Sequence, residues 1–242
     1  MNSPSIKLSN NQFVYLNKQS HGNIRFTPQI NIDVLKKEQI VPLVINEFIP
    51  VATQNPIVFV KDNQTGQFRA VALYGLKSEQ NLMIKNDTWQ SIYLPKAVRN
   101  KYFKLIENTE SAGEYLLTCR IDDPAFNQKD GEPLFEQNGK ESPFLKKIQE
   151  DLLSYLHQQE ITQHFFTLLL ELELLTPQSL SVETPQKTYN IDGVYLIDEN
   201  RLNTLADKDT IKLKQANMLP AIYAHIVSKA HILTLASRAN EL

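Results

Sequence analysis

The residues best suited to chemistry lie in a few short stretches. His157, Glu160 and His164 stand at offsets of three and seven, which puts them on one face of a helix. Two imidazoles and a carboxylate are metal-ligand types. Their spacing is not that of the zinc peptidases. The neighbouring Gln158, Gln159 and Gln163 fit the exposed polar face of an amphipathic helix, so no metal is expected. Cys119 is the only cysteine. It ends the apolar run Tyr115-Leu116-Leu117-Thr118-Cys119, where strand alternation would turn Arg120 to the other face. With no activating group beside it, it reads as a packed thiol. Asp122 and Asp123 form a carboxylate pair suited to acid–base or metal work, and equally to ending a strand. His225 and His231 are six residues apart and do not align on a helix. No phosphate loop, dinucleotide-binding glycine pattern or nucleophile elbow occurs. No catalytic residue and no cofactor is expected from these motifs.

A second set is suited to recognition. Tryptophan, tyrosine and arginine are enriched in binding hot spots, which draws attention to Trp89, Tyr93 and Arg99, with Glu47 as a companion carboxylate. Trp89 and Tyr93 are equally suited to filling a core. The segment Asp122–Ser142 holds Pro124, Gly131, Pro133 and Gly139 and reads as a loop of 21 residues. Loops of that length tend to be functional or mobile. It combines Asp122, Asp123, Asp130 and Glu132 with the aromatic residues Phe126 and Phe135. The candidate partner-binding residues are therefore Glu47, Trp89, Tyr93, Arg99, Asp122, Asp123, Phe126 and Phe135.

The elements that must position these residues are partly legible. Residues 1–11 are polar and read as loose. Gln12–Asn17 and Asn23–Thr27 read as short strands. Val41–Asn55 is ambiguous: Asn46 could cap a helix from Glu47, but Pro50 restricts it. Pro56–Lys61 and Gln67–Tyr74 read as strands, followed by Asn81–Lys85 and Thr88–Ile92 around an Asn86-Asp87 turn. Together they suggest an antiparallel meander. Pro95 can open a short helix to Asn100. Phe103–Ile106 and Glu114–Ile121 complete a strand-rich N-terminal half. Ser142-Pro143 reads as an N-cap and first helical residue, opening a helical segment over 143–175 that Thr162 could divide. Strands are expected at Leu180–Thr184, Thr188–Ile191 and Val194–Ile197, with Asp192-Gly193 as a hairpin turn. Asp198 can cap a short helix through Ala206, and a last helix starts near Leu219. The fold class is α+β, with a C-terminal hairpin and helices, in one domain.

Bulk composition narrows the function classes. The chain has 242 residues, 42% of them hydrophobic, with 25 Lys+Arg against 27 Asp+Glu. A net charge of −2 without a basic run argues against nucleic acid as a partner. A single cysteine favours a reducing compartment. The N-terminus lacks a basic start followed by an apolar run, and uninterrupted apolar runs fall short of the ~18 residues of a membrane span. These features lead to the expectation of a cytoplasmic protein without a span.

Several segments, read in order, carry a resemblance. They are Leu43–Phe48 (LVINEF), Asn55–Phe59 (NPIVF), Ala70–Leu76 (AVALYGL), Asn81-Leu82, Trp89, Tyr93-Leu94-Pro95 and Arg99. Cys119, Ile121-Asp122, Gly131–Phe135 (GEPLF), Val194–Leu202 (VYLIDENRL), Ile222–His225 (IYAH) and Arg238 follow. In this order they resemble the bacterial SapC family. Tyr102-Phe103 stands where the family has a Pro-Phe pair, and Cys119-Arg120-Ile121-Asp122 where it has Cys-Ile-Asp. The family is named after a surface-layer protein locus, and its members lie beside outer-membrane receptors and oxygenase- or halogenase-like enzymes. The resemblance implies an accessory role near surface or peptide-modification systems and implies no reaction.

Two functions are carried forward from the sequence. One is a non-catalytic accessory protein that binds a polypeptide partner. The other is an enzyme whose site forms only in three dimensions.

Overall fold

A computed structural model describes residues 13–111 and 113–241. The segment 1–11, expected to be loose, lies outside the described residues. The fold is α+β, with every strand pairing antiparallel. The chain clusters into two compact units. One comprises residues up to Ile30 and Arg99–Leu156; the other comprises Asn31–Val98 and His157–Leu242.

The first unit holds two small sheets. In one, Tyr115–Cys119 lies between Val14–Tyr15 and Phe103–Glu107. In the other, Arg25–Phe26 lies between Phe126–Asn127 and Glu132–Pro133. The expected long loop after Asp122 is thus largely built into structure. Its Phe126, Leu134 and Phe135 are buried with Phe26, Phe103 and Cys119. Phe26 sets the centre, with ring centroids 5.0 Å from Phe103 and 4.9 Å from Phe126. Gly131 makes the close return possible. Its φ is +96°, and a Cβ there would stand 2.3 Å from the Phe26 carbonyl oxygen. Ser142 caps the following helix, its Oγ accepting from the Leu145 amide at 3.1 Å, as a serine before a helix should.

The second unit is built on a five-stranded sheet in the order Leu175–Glu183, Thr188–Ile197, Ile57–Lys61, Phe68–Leu73, Ile40–Leu43. The near-continuous apolar strands Ile57–Lys61 and Phe68–Leu73 are its buried centre. A two-stranded ribbon, Ile84–Lys85 with Thr88–Trp89, turns at Asn86 and Asp87, both at positive φ, the pairing that favours Asn and Asp there. It forms its own sheet, so the expected single meander is replaced by a hairpin in the large sheet and a separate ribbon.

Two further expectations are revised, and one helix is added. Pro143–Glu171 is one continuous helix. Thr162 does not break it, because its hydroxyl donates to the Gln158 carbonyl at 2.6 Å and accepts from the Ile45 amide at 2.9 Å. Asp192-Gly193 is not a hairpin turn but a bulge inside Thr188–Ile197. Gln178 pairs with Val194 and Leu180 with Ile191, leaving Ser179 opposite two residues. Gly193 takes φ +74°, as the glycine of such bulges does. The hairpin turns instead at Thr184–Lys187. Asp207–Gln215 is a helix that periodicity had not marked.

Leu219–Asn240 is the one helical stretch among the described residues long and apolar enough to cross a membrane, with mean hydropathy 1.2. Uninterrupted-run counting missed it because Ser228, Lys229 and His231 punctuate it. Its Ala221, Ile222, His225, Leu235 and Ala236 are buried in the core of this unit.

Candidate functional site

Glu47 is the only charged residue between Glu38 and Lys61. It ends the 3-10 turn Ile45–Glu47 and leads into the short helix Phe48–Ala52. Its side chain is wholly buried. Taking a carboxylate out of water is costly unless its lone pairs are met. Here Oε2 accepts from the Val44 amide at 3.0 Å, and Oε1 accepts from the Tyr93 hydroxyl at 2.8 Å and the Lys96 amide at 2.7 Å. Hydrogen bonds to a carboxylate are the stronger kind. The Lys96 amide opens the helix Lys96–Arg99 just after Pro95.

The residues beyond the short helix grip the same loop. Gln54 Oε1 accepts from the Ile92 amide at 2.7 Å and from the Ser91 hydroxyl at 3.0 Å. Asn55 Nδ2 donates to Ser91 Oγ at 3.0 Å. Trp89 Nε1 donates to the Tyr93 carbonyl at 3.3 Å. The stretch Ser91–Lys96 is therefore clamped from both ends of Phe48–Ala52. It carries Ile92, which is 89% exposed. Ile49, on the helix between the two grips, is 60% exposed.

Tyr74 packs edge-on against Trp89, centroids 5.1 Å apart. Its hydroxyl is buried and makes no hydrogen bond among the described residues. Burial, followed by the nearby Glu47 and Tyr93, pushes its pKa far up, so the phenol stays neutral. His225 is also fully buried. It stacks on Phe59 at 4.4 Å and accepts the Ile197 amide at Nε2, 3.2 Å. Burial chiefly, with Lys229 second, lowers its pKa to about 3. Ser228 then links this helix to the sheet, its Oγ accepting from the Ile57 amide at 2.9 Å and donating to the His225 carbonyl.

Of the sequence candidates, Glu47, Trp89 and Tyr93 converge in the second unit. The other five fall in the first unit. Arg99 is exposed at the end of its helix. Asp122 is exposed, whereas Asp123 closes a turn, its Oδ1 accepting from the Ala125 amide at 3.0 Å. Phe126 and Phe135 are buried, so they serve the core and present no anchor to a partner in this conformation. Cys119 is buried, and burial with Asp122 nearby pushes its thiol up to about 12. His157 stands 3.6 Å from Glu160 on an exposed helix face. No group of three metal-ligating side chains gathers among the described residues.

Sequence reasoning missed Tyr74, Gln54, Asn55 and Ser91. Glu47 itself had a usable signal, a lone carboxylate in a long uncharged window. The polar grip by Gln54, Asn55 and Ser91 had none, since such residues are ordinary in loops.

No curated protein and no solved structure matches the chain significantly. The SapC family model matches residues 16–235, which cover both units described above, and the chain belongs to the SapC family.

Proposed function

We propose that this SapC-family protein is a non-catalytic accessory protein that binds a polypeptide partner. One observation carries the reading. The clamped Ser91–Lys96 loop holds Ile92 almost fully in solvent, and the helix that clamps it presents Ile49 beside the grip. A large apolar side chain on a pre-ordered loop loses little further freedom on docking, which is how hot-spot residues gain affinity. The helix Leu219–Ser228 packs on Phe48–Ala52 and adds the exposed Tyr223 and Val227.

The groups that the enzyme reading would use are otherwise engaged. Glu47 has its lone pairs occupied by three donors, Tyr74 is held neutral, and His225 is sealed under Phe59. The test is affinity capture of tagged protein from its own cell lysate, comparing wild type with Ile92→Asp and Ile49→Asp. Both variants are expected to unfold at the wild-type midpoint and to lose the partner. Full retention of every partner by both variants would remove this surface from the proposal. Turnover of a small molecule without a partner would favour the enzyme.

A further inference from the structure

The five-stranded sheet has two unequal edges. Ile40–Leu43 is short and contains Pro42, a residue that suits and blunts an edge. The opposite edge, Leu175–Glu183, has nine residues. Pro177, Gln178, Ser179, Ser181 and Glu183 along it are exposed.

The register tells which backbone groups face outward. The Thr184 amide donates to the Lys187 carbonyl at 2.9 Å, closing the hairpin. Bonded and non-bonded pairs then alternate along an antiparallel ladder. Val182 with Tyr189 is a bonded pair; Glu183 with Thr188, and Ser181 with Asn190, are not. The amides and carbonyls of Ser181 and Glu183 therefore point away from the sheet. Among the described residues no hydrogen bond reaches them. The same alternation turns Pro177, which has no amide hydrogen, outward at the far end, and this confines the pairable stretch to its C-terminal side.

We propose that this edge, from Ser179 to Glu183, takes up an extended segment of a partner polypeptide as an added strand. A row of outward amides and carbonyls at strand spacing is matched only by another extended backbone. Side-chain alternation specifies the segment further. Leu180 and Val182 lie on the face turned inward, and Ser179, Ser181 and Glu183 lie on the solvent face. A fitting segment sets apolar residues beside Leu180 and Val182 and a basic residue beside Glu183. Glu183 forms no ion pair among the described residues. A second copy of the same strand would bring it no cation, because Leu175–Glu183 contains neither lysine nor arginine. The proposal rests on the polypeptide-binding reading but uses a contact separate from Ile92.

The test uses the full chain and a short fluorescein-labelled peptide alternating valine with threonine and lysine, read by anisotropy. Wild type is expected to bind it saturably. Ser181→Pro removes one outward amide hydrogen and is expected to weaken binding at least about tenfold. An edge strand tolerates proline at an outward position. Glu183→Lys, which leaves the backbone alone, is expected to shift preference to the same peptide with glutamate in place of lysine. Absence of saturable binding by wild type, or equal binding by all three proteins, overturns the proposal. A wild-type dimer in light scattering that Ser181→Pro converts to monomer also overturns it and assigns the edge to a second copy. Ile92→Asp is expected to bind the peptide as wild type does, so the two surfaces fail separately.

Discussion

The Tyr93 hydroxyl donates to the buried Glu47 carboxylate across 2.8 Å. That one bond ties a ribbon-side loop to a turn 46 residues earlier in the chain. It also explains how a charged residue can sit buried in an uncharged window: beside the local Val44 amide, two of its three donors come from Tyr93 and Lys96, far along the sequence.

The first prediction concerns this bond. Glu47→Ala takes the acceptor away from the Val44 and Lys96 amides and from the Tyr93 hydroxyl, and is expected to destabilise by about 3–5 kcal/mol, since each buried polar group that loses its partner costs about 1–3 kcal/mol. Tyr93→Phe removes a single donor to the carboxylate and is expected to cost about 1.5–3 kcal/mol. Urea unfolding of the full chain measures both. A Glu47→Ala loss below that of Tyr93→Phe would show that the carboxylate does not organise the loop.

His225 sets a pH dependence. Its folded pKa lies near 3, below the ordinary value of 6.5. Below 6.5 the unfolded chain takes up a proton that the folded chain refuses, so stability falls as pH drops from 6.5 toward 3 and is unaffected by this group above 6.5. The slope approaches about 1.4 kcal/mol per pH unit within that window. His225→Gln, which can still accept the Ile197 amide, is expected to remove this component. Unfolding measured between pH 7 and pH 5, above most carboxylate titration, checks it; equal slopes for both proteins would refute it.

Cys119 is expected to be inert in the native state. A thiol pushed up to about 12 by burial and by Asp122 holds almost no thiolate at neutral pH, and thiolate is the reactive form. Ellman's reagent should label it only as fast as the first unit opens, and at once in denaturant. Rapid native labelling would contradict the burial.

Two glycines at positive φ should respond differently. Gly131→Ala places a methyl 2.3 Å from the Phe26 carbonyl oxygen in addition to its strained backbone, whereas Gly193→Ala meets nothing within 4 Å. Gly193→Ala is expected to cost about 1–2 kcal/mol from backbone conformation alone. Gly131→Ala is expected to cost clearly more. Thermal unfolding of the two variants ranks them; the reverse order would mean that the Phe26 strand yields easily.

The sequence alone was enough for features controlled by neighbours in the chain. Ser142 before Pro143 and Asp198 before Glu199 announced helix starts, because a cap bonds an amide three residues on. Asn86-Asp87 announced a tight turn, because both residues tolerate positive φ. The ordered segments from Leu43 to Arg238 announced the family. What depended on distant partners was not legible. Asp192-Gly193 has the composition of a hairpin turn, but the longer ladder of Leu175–Glu183 against Thr188–Ile197 turns it into a bulge. Phe126 and Phe135 resemble loop anchors until Arg25–Phe26 pairs beside them and draws them inward. Trp89 and Tyr93 suited core or surface equally. Their placement was decided by Glu47 and Tyr74, which the chain brings alongside only after folding, because burial and hydrogen-bond partnership belong to the assembled unit rather than to any residue's own type.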